Sequence, residues 1–469
     1  MSPSRRAYVF ACVGLALVYA DQNLIAPHLT AIAEDLDLSL HDRDSKLGGE
    51  IAFAFFLLGA PASLLLGALA DKFSRVKLFA WTLLLGSTPN CAALFITTYR
   101  QLYWLRALTG IAVGGAAPLT YSLCSDLFPA SERTRMSAVT GIAMSLGVVG
   151  GQAISGFIGE KYGWRVPFAV VAAPGFVVAI LMMFFAEEPV RGGMEDESAA
   201  TCDEEMRASR SERETLIDAP SRSHGSTPPP RGAKMGDFMA FYRKVCGIVS
   251  VKTVTLFLVQ GISGCVPWSM INTFFNDYLA QDKNLGVESS TTLLIAFAIG
   301  AMASTLVSGL YGQTLYNENP KKVSYFMGST AIVGVIPTVY LVLADYNPAS
   351  TFDFVCKCIT AFLSGFISSC VGVNIRAVLL NVLHPLNRGT AFSLFMLTDD
   401  LGKGLGPVFV AGLVDLLGRE SAFFVSVLFW IPCGLILLAS ASTVLDDLKS
   451  VQNRYKAAQA ENEFDERAE

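Results

Sequence analysis

Residues 67–77 read Gly67-Ala68-Leu69-Ala70-Asp71-Lys72-Phe73-Ser74-Arg75-Val76-Lys77, a short basic loop between two apolar runs, 47–70 and 78–98. Each run is long enough to cross a bilayer as a helix, which takes roughly 20 apolar residues. The three bases, Lys72, Arg75 and Lys77, hold such a loop on the cytosolic side. Asp71 and Arg75 are four apart and can pair at a helix end, and Gly67 lets a second helix approach closely. A merely basic loop would need none of these three residues.

Working outward, the apolar runs before residue 190 lie at 8–36, 47–70, 78–98, 101–125, 136–159 and 166–186. A second set follows at 247–275, 287–312, 323–343, 352–380, 390–417 and 421–443. Between them, residues 190–237 are charged and rich in Ser and Pro, with Pro228-Pro229-Pro230, and such a segment cannot bury apolar area. The expected organisation is a six-helix half (1–189), a flexible cytosolic linker (190–237), a second six-helix half (238–445) and a cytosolic tail (446–469). The fold class is therefore an all-α polytopic membrane protein with twelve transmembrane helices. The first run continues past Asp21 through Leu29, so it reads as a retained helix rather than a cleaved signal peptide.

Composition agrees. Apolar residues make up 52% of the 469, and the 40 glycines raise that share to about 61%, against about 45–50% in soluble domains. Charged residues are 16%, against about 25%. This excludes a water-soluble enzyme, and a net charge of −5 with no basic face excludes a nucleic-acid binder. The ten cysteines are scattered in apolar stretches and suggest neither a disulfide framework nor a metal site. With the N-terminus inside, eleven Lys and Arg fall in cytosolic connections and seven in outer ones, which also puts the linker and tail in the cytosol.

A few polar residues lie at membrane depth, where an ionisable group is costly and marks a functional site by default. Asp21 is 13 residues past Tyr8, roughly 20 Å from the cytosolic side at 1.5 Å per residue, and Arg106 enters span four from the other side. Their depths match, so they are expected to pair. The pair either loads and releases a proton as a cavity opens and closes, or is a fixed structural tie. In span eleven Asp399 and Lys403 are four apart and can neutralise each other, leaving Asp400 to face elsewhere. These charges either line a cavity or clamp span eleven against span two through Gly402, Gly404 and Gly406. Span seven is interrupted at Gly261, Gly264 and Pro267 and then carries Trp268, Asn272 and Phe274, a pattern of mobile, cavity-lining helices. With Asn23 of span one and Asn374 of span ten, these complete an expected substrate cavity: Asn23, Trp268, Asn272, Phe274, Asn374 and Asp400. A sugar site needs many buried hydrogen-bonding groups, because each one left unpaired costs about 1–3 kcal/mol. Spans seven and ten offer few, which favours an acyl chain at about 0.8 kcal/mol per buried methylene, with Arg106 available for an anionic head group.

The loop at 67–77 resembles the signature loop of the major facilitator superfamily. That resemblance implies that Asp71 and Arg75 bridge to the opposite half and, with Gly67, latch one conformation. Within the superfamily the chain resembles the Spinster-like lipid transporters, through Asp21, Arg106-Ala107-Leu108-Thr109-Gly110, Asp126-Leu127-Phe128, Glu188-Pro189-Val190-Arg191-Gly192, Asn374 and Arg388. The resemblance implies a secondary transporter with alternating access, a lysophospholipid or related single-chain lipid as cargo, and Asp21 with Arg106 as the proton-coupling pair. Val113 stands where that branch usually has an acid, and Gln22 where an arginine often follows the aspartate, so Asp21 would work with fewer helpers. The linker stretch Glu212-Arg213-Glu214-Thr215-Leu216-Ile217 resembles an acidic dileucine sorting signal, which implies adaptor proteins as partners and a lysosomal, vacuolar or other endomembrane address, with the plasma membrane as the alternative. Membrane lipids, a small-molecule substrate and protons are the other expected partners, for a monomer without cofactor or metal. A sugar or organic-anion transporter, or a transporter-fold receptor that does not transport, are the competing readings.

Overall fold

The computed structural model describes residues 3–70, 73–128, 130–189, 243, 245–347, 350–383 and 385–450. Asp71 of the expected latch and Glu212, Leu216 and Ile217 of the expected sorting signal lie outside the described residues. The described chain is helical throughout. Its spans are α1 (Arg5–Asp35), α2 (Leu40–Gly67), α3 (Arg75–Phe95), α4 (Tyr99–Leu127), α5 (Ala130–Tyr162) and α6 (Val166–Phe185) in the first half. The second half contains α7 (Lys252–Asp282), α8 (Val287–Glu318), α9 (Pro320–Leu343), α10 (Thr351–Leu379), α11 (Pro385–Leu417) and α12 (Arg419–Ser440). Eleven of these are both long and apolar enough to cross a membrane. The twelfth, α11, is 33 residues long but carries Asp399, Asp400 and Lys403 near its middle.

A helix is the fold of choice here because hydrocarbon cannot satisfy exposed backbone polar groups. Close packing between helices then comes from small residues. A Cβ on Gly114 of α4 would lie 1.9 Å from the Gly59 carbonyl oxygen of α2, and one on Gly365 of α10 would lie 1.9 Å from that of Phe297 in α8. The same crossing thus recurs at equivalent places in the two halves. At Gly67, among the described residues, no atom lies within 4 Å of where its Cβ would be. The close α2–α4 approach is made further along α2, at Gly59.

Each half buries its own core, around Leu15, Phe79 and Leu119 in the first and Phe257, Met327 and Leu379 in the second. A third cluster spans both halves at the end of the bundle away from the chain termini, the distal end, and includes Ile32 and Leu47 with Phe274, Leu279 and Val410. There Phe274 fills the space beside Gly48, whose Cβ would lie 2.0 Å from the ring.

The distal end also carries a buried charge cluster. Arg419 of α12 donates from Nε and Nη2 to Asp44 of α2, at 3.1 and 2.5 Å, and its Nη1 lies 3.0 Å from Asp277 and 2.7 Å from Asp282 of α7. Asp277 in turn accepts the Thr30 N–H and hydroxyl of α1, both at 2.8 Å, and Arg43 donates to Thr30 and Asp44. Asp277 and Asp282 are five residues apart, and on a regular α-helix they would point in different directions. The end of α7 has wide turns whose N–H groups reach back five residues, as from Lys283 to the Tyr278 carbonyl, so both carboxylates meet one guanidinium. Gly418, at φ +78°, makes the sharp turn that starts α12 on Arg419. Among the described residues, every hydrogen bond that joins the halves lies at this end, including His41 to Asp415 at 2.7 Å.

Removing one partner from a buried charge cluster costs about 3–5 kcal/mol, because the remaining charges are left desolvated. Arg419→Ala is therefore expected to part the distal ends. Spin labels on Glu34 and Leu416, both exposed at that end, report the separation. A longer and broader distance distribution in the variant is the expected outcome, and an unchanged one would mean that the cluster does not hold the halves together.

Candidate functional site

The expected Asp21–Arg106 pair is present. Arg106 Nη1 donates to Asp21 Oδ1 at 2.6 Å, and Nη2 donates to the Asp21 carbonyl at 3.1 Å. Both side chains are buried, at 5% and 4% exposure. The regular turns of α1 stop at Gln22, ahead of a tight 3₁₀ turn over Ala26–His28 that contains Pro27, so carbonyls in its last turn need partners from elsewhere. Arg106 satisfies one of them. Its guanidinium also lies over the rings of Phe55, at 5.1 Å, and Phe168, at 5.7 Å, an arrangement that suits a poorly hydrated cation. Arg106 thus spends both terminal nitrogens inside the first half, on Asp21 and the end of its helical stretch, while its buried Nε has no partner among the described residues.

The α11 charges sit where the halves diverge. Lys403 Nζ lies 2.7 Å from Asp399 and 3.3 Å from Asp400, so it bridges both acids instead of leaving Asp400 to face elsewhere. Their side chains are 31–42% exposed. Close packing accompanies them: a Cβ on Gly404 would touch Phe56 of α2 at 3.0 Å, and one on Gly402 would overlap Cys265 of α7. The ion-paired charges and the close glycine contacts thus occur together on α11.

Three of the residues expected to line a cavity do not. Asn23 is buried, and its amide donates to the Tyr19 carbonyl at 3.1 Å, because it sits at the end of the first helical stretch of α1. Asn374 is buried between α10 and α8 and donates to the carbonyls of Ser308 and Cys370, at 3.2 and 2.8 Å. Phe274 is the distal plug already described, packed on Phe423 with centroids 6.0 Å apart. Trp268 is half-buried within the second half, edge-on to Phe297 and Trp430. Asn272 is exposed.

At the end that bears the termini, Arg75 does not reach the second half. It pairs with Asp126 of α4 and donates from Nε to Glu188 at 2.8 Å. Glu188 also accepts the Ser74 hydroxyl at 2.7 Å and the Val76 N–H at 2.9 Å. Burial by itself would raise the Glu188 carboxyl, but these donors, with Arg75, hold it below the usual range. The bridge that the family resemblance implies for Arg75 is absent in this conformation because its guanidinium is already saturated within its own half.

Sequence reasoning missed the distal cluster altogether. Arg43 and Arg419 counted only as outer-loop bases, and nothing local announces a partner 375 positions away. The available signal was a set of charges, Arg43, Asp44, Asp277, Asp282 and Arg419, just beyond the ends of apolar runs. Among the described residues no group of three or more His, Cys, Asp or Glu side chains is placed to hold a metal ion.

The comparisons with known proteins complete the picture. Protein spinster homolog 1 of Xenopus tropicalis is 22% identical over 467 residues, covering 93% of this chain and 80% of the relative. The hexuronate transporter of Bacillus subtilis (strain 168) is also 22% identical, over 446 residues, covering 95% and 94%. A crystal structure of a bacterial homolog to the human lysosomal transporter Spinster, inward-facing and unoccupied, superposes with a TM-score of 0.71 at 16% identity, covering 95% of this chain and 98% of that one. The family profile described as Major Facilitator Superfamily matches residues 11–407 and 256–461, so this chain belongs to that superfamily and is a secondary transporter, not an enzyme.

Proposed function

We propose that the transporter couples proton movement to the passage of a single-chain amphiphile, a lysophospholipid or related lipid, from the space between its halves. The observation that carries this reading is the buried Asp21–Arg106 pair, a carboxylate at membrane depth beside the path that alternating access opens and closes. The distal end is shut by Arg419 and its acids, and the reading takes the opposite end, which bears the termini, as the side from which cargo enters. Cargo entering from that side meets Asp399, Asp400 and Lys403.

The lipid reading is supported by what the amides are doing. Asn374 spends both amide donors on backbone carbonyls and Asn23 spends one, and both side chains are buried, which leaves little of either for sugar hydroxyls. A head group has instead the partly exposed α11 charges, and an acyl chain has the apolar walls. The hexuronate transporter at the same identity as the spinster homolog keeps a sugar acid as the runner-up.

Asp21→Asn keeps the side chain's volume but removes its titration. Proton-driven uptake into liposomes is expected to fall at least tenfold, while counterflow, which needs no net proton movement, continues. Uptake that keeps its full dependence on the pH gradient would refute the coupling role.

For cargo, apparent affinity across a single-chain lipid series is expected to rise with chain length, up to about fourfold per methylene at 0.8 kcal/mol each. Competition by hexuronate or glucose, with none by long-chain lysolipids, would replace the lipid reading with its runner-up.

Arg75 and Glu188 are proposed to hold the α3–α4 end of the first half as a unit during the conformational change. A carboxyl held below its usual range stabilises the fold above that range and stops doing so as pH falls through its folded value. Glu188→Gln is therefore expected to lower the thermal midpoint of the purified protein at pH 7 by a few degrees, with the difference from wild type closing as pH falls through and below the ordinary glutamate range. A difference that is constant across pH would show that the charge on Glu188 is not what matters.

A further inference from the structure

The first half encloses a small cavity between α1, α3, α4 and α6, with a volume of about 10 Å³. Its polar lining is Asp21, Ser87 and Asn90, and the rest is apolar, including Leu17, Leu83 and Val171. The three polar residues are 3%, 5% and 4% exposed. Arg106 takes the Oδ1 side of the Asp21 carboxylate, and no guanidinium bond goes to Oδ2. Asn90 stands against the same carboxylate. On α3, Thr82 and Thr88 donate back to the carbonyls four residues earlier, both at 2.8 Å. Ser87 makes no such bond, and its hydroxyl has no protein partner among the described residues.

Buried hydroxyls and amides without partners are costly, and a cavity of about 10–15 Å³ with two to four polar groups is what one water molecule needs. A metal cation does not fit, because Arg106 already neutralises Asp21 and an added charge would be unbalanced. Asp21 already has Arg106, Asn90 and Thr109 as partners, but an apolar atom would leave the Ser87 hydroxyl unsatisfied. We propose that this cavity is a binding site for one water molecule, held by Asp21, Ser87 and Asn90, and that this water is the partner that lets Asp21 exist in both charge states. Water can turn. It donates to the carboxylate when Asp21 is ionised and accepts from the carboxylic acid when Asp21 is protonated, and neither state requires a helix to move. Arg106, a donor only, cannot do this. Ser87 and Asn90 are then positioning residues for the water.

The second part of the proposal rests on the reading of Asp21 as the titrating group, and the experiment separates the two. In a high-resolution experimental structure of the full chain, ordered water density is expected within hydrogen-bond distance of Asp21, Ser87 and Asn90. The carboxyl infrared band of Asp21, assigned by its loss in Asp21→Asn, is then followed against pH in the wild type, Ser87→Val and Ser87→Ala. Ser87→Val fills the site, and Ser87→Ala is the milder change should the valine fail to fold. The midpoint of the band is expected to move by about one pH unit or more when the water or its anchor is removed, while the thermal midpoint of the alanine variant stays near that of the wild type. Bound water with an Asp21 that never titrates would overturn the coupling reading and keep the site. A titrating Asp21 with no water density, or with a midpoint that ignores both Ser87 variants, would overturn this inference and keep the coupling reading.

Discussion

One guanidinium, that of Arg419, ties the two halves together. It has Asp44 of the first half on one side and Asp277 and Asp282 of the second on the other, all shielded from water to different degrees. A charge so placed is stable only while its partners stay, since desolvation costs several kcal/mol per ion. That makes the distal contact all-or-none. The halves either share the cluster, as here, or separate far enough to let water take over its bonds. An apolar contact such as Phe274 on Gly48 could slide by degrees, whereas a network of hydrogen-bonded charges has one good geometry. Such bistability is what alternating access requires of a gate.

The Asp21–Arg106 pair obeys a different logic. Both partners lie in the first half, so the pair does not need to break when the halves move. Its surroundings are asymmetric: rings on the faces of the guanidinium, a helix-end carbonyl on Nη2, and polar side chains near the carboxylate. Arg106 keeps a positive charge at any pH of interest. Whatever proton exchange occurs at the site therefore involves the acid, and the arginine sets the field in which it happens.

Much of the fold could be read in the sequence because a bilayer leaves so few options. Hydrophobic run length located all twelve spans, and the depth argument brought Asp21 and Arg106 together from runs 85 residues apart. Side-chain direction was less legible. Asn23, Asn374 and Phe274 carry the residue types of a cavity wall, yet each faces a neighbouring helix or its own backbone, and helical phase is altered by the break near Pro27 and the wide turns of α7. Pairings across the halves were not legible at all.

The gate and the buried acid share a helix. Asp21 lies at the end of the first stretch of α1, and Thr30, which holds Asp277, opens its second stretch nine residues on. Between them the backbone leaves the regular helix, and the freed groups are taken up by α5: Ser155 donates to the Leu24 carbonyl at 2.5 Å, and His28 Nε2 meets the Ser155 carbonyl at 2.8 Å. Gly159 leaves room for the His28 ring, which a Cβ there would strike at 2.2 Å. A continuous helix would carry any tilt at Asp21 straight to Thr30. A broken one, pinned to α5 at the break, turns the two stretches into separate arms about a fixed point. The arm with Thr30 can then leave Asp277 without dragging Asp21 away from Arg106, so the pair can keep its contacts while the gate opens.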